Sequence, residues 1–110
     1  MNSEQYWSVR EKTTDVFLGL LSFTTHHNGT DTELSYQFLP EHWGSGYTQE
    51  AAEELIRYGF GDLGLDRIVS ETQEANVRSR KLLARLGMSL ESTGERFGVT
   101  QTLYGLDRPQ

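Results

Sequence analysis

The run Val16-Phe17-Leu18-Gly19-Leu20-Leu21-Ser22-Phe23 is apolar at odd and even positions alike, so it predicts a strand that needs cover on both faces of its sheet. Three strands are predicted in this part of the chain: Tyr6 to Lys12, Val16 to Thr25 and Thr32 to Leu39. Short polar turns separate them, and Asn28-Gly29 in the second is a hairpin signal. From Thr48 to Phe60 the pattern lengthens to a helical period. Ala52, Leu55, Ile56 and Gly59 fall on one face, and Glu50, Glu53 and Glu54 suit the positive end of the helix dipole. Gly61-Asp62-Leu63-Gly64 ends that helix, and Arg67 to Thr72 reads as a strand. A second helix follows, with Asn76 as its N-cap, Leu82, Leu83 and Leu86 as its buried stripe, and Gly87 as its stop. Met88 to Arg96 and Thr100 to Leu106 close the chain as two strands joined around Gly98. The order β-β-β-α-β-α-β-β predicts an α/β sandwich with a mixed, largely antiparallel sheet. One helix is expected to cover one face of the sheet and the second helix part of the other.

Composition narrows the function classes. With 110 residues, 35% hydrophobic and 24% charged, the chain (residues 1–110) is expected to be one globular domain. A net charge of −6 argues against a nucleic-acid surface, and the absence of cysteine excludes disulfides, thiolate metal sites and a cysteine nucleophile. No apolar run reaches the length of a membrane span and no secretory pattern opens the chain, so a cytoplasmic protein is expected.

Two segments carry the candidate chemistry. Glu41-His42-Trp43-Gly44-Ser45-Gly46-Tyr47-Thr48 joins a strand to a helix through two glycines. Such a junction aims backbone N–H groups and a helix dipole at one point, which suits a phosphate or pyrophosphate. Two glycines also make an ordinary strand-to-helix turn. A dinucleotide fingerprint would need a third glycine where Gln49 stands, and the flanking hairpins do not fit a doubly wound sheet. The second segment, Asn76-Val77-Arg78-Ser79, sets an amide and a hydroxyl three residues apart at a helix start. Asn76 can cap that helix, and Ser79 can satisfy a backbone N–H in its first turn, with or without a ligand.

Taken together, these segments resemble the cofactor site of the GNAT N-acetyltransferases. The longer run Trp43-Gly44-Ser45-Gly46-Tyr47-Thr48-Gln49-Glu50-Ala51 is similar to the subgroup that acetylates ribosomal-protein N-termini. The resemblance implies acetyl-coenzyme A as co-substrate. Its pyrophosphate would lie on the amides of Gly44, Ser45, Gly46, Tyr47 and Thr48, and its pantetheine arm would pair with the strand at Phe38 and Leu39 and touch Asn76. Glu41 departs from the family loop, which begins with Gln or Arg. Leu83 stands where many members carry a tyrosine that protonates the leaving thiolate; in the ribosomal-protein subgroup a serine at the position of Ser79 is the implied donor. The family's first strand and first two helices have no counterpart here, so the chain is expected to be N-terminally truncated, with an incomplete acceptor site.

Acetylating an amine needs a proton acceptor. Glu33 sits where the family's fourth strand often carries a glutamate, and it reads equally as an ordinary strand carboxylate. His26 and His27 sit in the turn after the second strand, where neighbours on a strand would point to opposite faces, and no third ligand stands at a sensible spacing, so no metal is expected. Arg78, Arg80, Lys81 and Arg85 are expected to form a solvated helix face, one of them meeting the coenzyme's 3′-phosphate. The reading is an acetyl-CoA-dependent N-acetyltransferase acting on a primary amine, a protein N-terminus among the options, with Ser79 and Glu33 as catalytic residues. The alternative is an acetyl-CoA-binding or remnant module without turnover. A homodimer is expected, because the two-faced strand would otherwise leave an apolar patch.

Overall fold

The computed structural model describes residues 4–39, 41–42 and 46–109. The element order is the expected one: β1 (Gln5–Arg10), β2 (Phe17–Thr25), β3 (Thr32–Phe38), α1 (Tyr47–Gly61), β4 (Arg67–Gln73), α2 (Val77–Arg85), β5 (Ser89–Arg96) and β6 (Val99–Asp107). The eight elements form one six-stranded sheet, in the order β1-β2-β3-β4-β6-β5, with two helices. Among the described residues only β3 and β4 run parallel; every other neighbouring pair is antiparallel. No helix among the described residues is long and apolar enough to cross a membrane.

Both helices pack on the same face, contrary to expectation. A Cβ placed on Gly59 of α1 would lie 3.1 Å from Ile68 of β4, and Leu83 of α2 is buried in the same cluster as Ile68, Leu34 and Phe23. The strand order explains this. β4 lies beside β3 and parallel to it. β5 lies two places further the same way and is again parallel to β4, because β6 between them opposes both. Two right-handed crossovers stepping in one direction put both helices on one side. The opposite face, which carries Tyr6, Leu20, Ser22, Thr24, Glu33, Ser35, Gln37 and Glu71 by alternation, has no helical cover among the described residues.

The apolar run in β2 also resolves differently from its sequence pattern. A register irregularity opposite Val9 and Arg10 breaks the alternation, and Leu18 joins Leu21 and Phe23 in the core. Leu20 is left on the open face at 38% exposure, with polar neighbours. The second helix begins as predicted: the Asn76 side chain accepts the Ser79 N–H at 3.1 Å, and Gly87 ends the turn at φ 90°. The last hairpin turns through Phe97 and Gly98, both with positive φ.

Candidate functional site

The parallel pairing of β3 and β4 is short. It spans only Thr32–Ile68 and Glu33–Val69, after which the strands part. The Ser70 hydroxyl donates to the Leu34 carbonyl at 2.8 Å and closes the notch. Beyond it, strand alternation turns the backbone groups of Tyr36 and Phe38 toward the gap. Leu39 faces the other way, its N–H donating to the Leu18 carbonyl at 3.1 Å. Of the two residues expected to pair with an extended ligand, Phe38 therefore offers its backbone to the gap and Leu39 does not.

The loop after β3 leads into α1. Gly44 and Ser45, named above as phosphate-binding residues, lie outside the described residues, as does Trp43. Gly46 is the N-cap, at φ 84° and ψ −7°, a left-handed conformation that glycine adopts without strain. A Cβ there would meet nothing within 4 Å, and glycine has no side chain with which to cap. The helical ladder opens with the Glu50 N–H donating to the Gly46 carbonyl at 3.1 Å, so the N–H groups ahead of it lie outside the ladder. Thr48, in this first turn, is 3% exposed, and its hydroxyl has no partner among the described residues. A buried, unpartnered hydroxyl is costly, and here it stands in the turn where the helix dipole is positive.

Ser79 is buried, and its hydroxyl does not cap the helix. It is hydrogen-bonded to the phenol of Tyr36, joining α2 to β3 on the helix-covered side of the gap. Burial pushes the Tyr36 phenol up, and the bond to Ser79 works against that. Tyr36 was missed in the sequence, although alternation through Leu34, Tyr36 and Phe38 marks it as sharing the buried face. Among the basic residues of α2, Arg78, Lys81 and Arg85 are exposed, whereas Arg80 reaches the Tyr104 hydroxyl at 3.3 Å and the Glu74 carbonyl at 3.1 Å.

Glu33 lies on the opposite face of β3 from Tyr36, half-buried, and its Oε2 accepts the Glu71 N–H at 3.3 Å. Burial raises its carboxyl above the ordinary range, against the opposing pull of His26 and of that N–H. The histidines do not point apart. β2 ends at Thr25, so strand alternation no longer governs the next two residues. Their rings lie 4.0 Å apart, and both Nε2 atoms reach Glu71 Oε1, at 2.8 and 3.0 Å. Arg96 lies 3.2 Å from Glu71 Oε2. Burial pushes the Glu71 carboxyl up, but the bonds from His26 and His27 and the charge of Arg96 bring it below the ordinary range.

Two imidazoles and a carboxylate have the composition of a metal site, but the bonding pattern opposes one. The Asn28 N–H donates to His26 Nδ1 at 3.2 Å, which places the ring proton on Nε2, where it serves Glu71. A metal on Nε2 would need that proton on Nδ1, facing another donor. This group is a hydrogen-bonded carboxylate hub.

Comparison with known proteins bears on the family and the fold. A profile described as "Acetyltransferase (GNAT) domain" matches residues 1–89. An FsC-acetyl coenzyme A-N(2)-transacetylase of Aspergillus fumigatus is 40% identical over 58 residues, covering 53% of this chain and 25% of that protein. The ribosomal-protein-S5-alanine acetyltransferase of Vibrio fischeri superposes with a TM-score of 0.83 at 22% identity, over 94% of this chain and 61% of that one. A spermidine N-acetyltransferase from Vibrio cholerae superposes with a TM-score of 0.86 at 19% identity, over 97% and 67%. At those identities the two structures establish a shared fold. The chain spans 25% to 58% of the length of the curated relatives it matches.

Proposed function

This chain belongs to the GNAT acetyltransferase family, and on that premise we propose that it binds acetyl-CoA in the gap between β3 and β4 and transfers the acetyl group to a primary amine arriving from the open face. The observation that carries this reading is the first turn of α1: a helix start capped by a left-handed glycine, with the unpartnered buried hydroxyl of Thr48 within it. N–H groups outside the helical ladder and a free hydroxyl together suit the coenzyme's pyrophosphate. Gly46, Tyr47 and Thr48 are the described residues we assign to it, with Gly44 and Ser45 beside them in sequence. The backbone of Phe38 pairs with the pantetheine arm, and Asn76 lies at its far side.

The two faces of the sheet divide the chemistry. The neutral amine attacks the thioester carbonyl, a C–N bond forms, and the C–S bond breaks with its electron pair on sulfur. Ser79, backed by the Tyr36 phenol, hydrogen-bonds the departing thiolate from the helix side, a contact that strengthens toward the transition state. Glu33 takes the amine proton from the open side, and its raised carboxyl suits it to that role.

The test is thiol release and acetyl transfer with acetyl-CoA and a panel comprising an alanine-initiated peptide, spermidine and a free amino acid. Transfer to one of them supports the reading. Saturable acetyl-CoA binding with no transfer to any amine offered would contradict it.

A further inference from the structure

The carboxylate hub on the open face has no place in the chemistry above, yet it touches the residue assigned as base. Glu71 Oε1 is hydrogen-bonded by both His26 and His27, and Oε2 forms an ion pair with Arg96, so three proton-bearing groups converge on one carboxylate that is 12% exposed. The partners come from different elements: the turn after β2 supplies the histidines, β4 supplies Glu71, and β5 supplies Arg96. The Glu71 backbone N–H extends the hub to Glu33 on β3. A cavity of about 200 Å³ opens beside it, lined by His26, His27, Glu71, Glu95 and Arg96 among others. We propose that Glu71, the histidine donors gathered on it and the Arg96 cation form a positioning unit for the Glu33 base, fixing its carboxylate by the Glu71 N–H and presenting it with a neighbour whose negative charge is already offset. The inference rests on the reading of Glu33 as proton acceptor.

The electrostatic logic follows from the surroundings. A half-buried Glu33 beside an unmatched Glu71 carboxylate would face both desolvation and like-charge repulsion, and both favour its protonated, useless form. The Arg96 charge and the hydrogen bonds from the histidines offset the second effect. A second charged group on this face centres on Arg67. Arg67 pairs with Asp31 and Asp107, each at 3.4 Å, and with Glu91. That network sits at the start of β4 with one guanidinium against three carboxylates, and Glu95 at the cavity wall is a further acidic neighbour of the hub, so the face is acidic around Arg96. Removing the Arg96 charge or a histidine hydrogen bond from the hub should therefore make Glu33 harder to ionise.

The experiment is a carbon-detected NMR titration of the Glu33 carboxyl, assigned with Glu33→Gln, in the wild-type chain and in Arg96→Met, Arg96→Lys and His27→Gln. The expected result is a midpoint at higher pH in Arg96→Met and His27→Gln, and a return toward the wild-type value in Arg96→Lys, which keeps the charge. His27 is 53% exposed, so its replacement tests the idea with little packing disturbance if Arg96→Met fails to fold. In acetyl transfer to the best amine of the panel, activity should fall about tenfold per unit of midpoint shift on the acid side and recover at alkaline pH, which a structural lesion would not permit. An unmoved midpoint in both folded variants overturns the inference. If Glu33→Gln transfers acetyl normally, the assignment of Glu33 as base fails instead, and the inference built on it goes too, whatever the midpoints show.

Discussion

Replacing Thr48 with valine should move stability and affinity in opposite directions. The side chain is 3% exposed and its hydroxyl has no partner among the described residues, so the apoprotein bears a buried unsatisfied polar group. Such a group costs roughly 1–3 kcal/mol, and a methyl of the same shape does not carry that cost. Threonine and valine have similar helix propensities, so little is lost in return. For a domain of this size, 1 kcal/mol corresponds to roughly 4 °C in Tm. The apo variant should therefore melt at least about 4 °C higher. With acetyl-CoA present the hydroxyl has a charged oxygen to bind, a contact worth about 1.5–3 kcal/mol, so Kd should rise about tenfold to a hundredfold. Scanning calorimetry of the apoprotein and titration calorimetry with acetyl-CoA measure the two effects. A variant that melts lower and binds as tightly as wild type would refute the reasoning, because Thr48 would then be an ordinary packed residue.

Ser79→Ala should lower kcat with little change in coenzyme affinity, and Tyr36→Phe should do the same; because the two hydroxyls are bonded, the double variant should lose no more than the worse single one, whereas multiplying losses would show that they act separately. Gly46→Val should abolish acetyl-CoA binding, but not without cost to the fold: at φ 84° a β-branched residue is strained by about 1–2 kcal/mol or more, so a lower apo Tm is expected alongside the lost binding, and unchanged affinity in calorimetry would contradict the site. Sedimentation at micromolar concentration should report a dimer formed across the uncovered sheet face, where Leu20 and Tyr6 border a cavity of about 280 Å³; a stable monomer would mean that this largely polar face is content in water.

The element order was legible because each segment states its own period, and Asn76 and Gly87 mark the ends of α2 in the expected way. What failed to show in the sequence depends on contacts between distant segments. Whether α1 and α2 share a face is decided by where β5 enters the sheet, and no local pattern encodes that. The meeting of Tyr36 with Ser79, 43 residues apart, and of His26 with Glu71, 45 apart, follows from β3 and β4 pairing in parallel through a crossover. Leu18 entered the core through a register irregularity that the run of apolar residues conceals. The candidate site was therefore half legible. Its backbone turn and cap were visible, whereas the partners of its two proposed catalytic side chains were not.

The central claim is that acetyl-CoA occupies the gap with its pyrophosphate on the first turn of α1. Amide NMR of the isotope-labelled chain during titration with acetyl-CoA tests it most directly. The account predicts saturable shifts at Gly46, Tyr47, Thr48 and Gln49, with further shifts at Phe38, Asn76 and Ser79, and smaller changes around the His26–Glu71 hub. Saturable binding with the α1 amides unmoved, or no binding at millimolar acetyl-CoA, would contradict it.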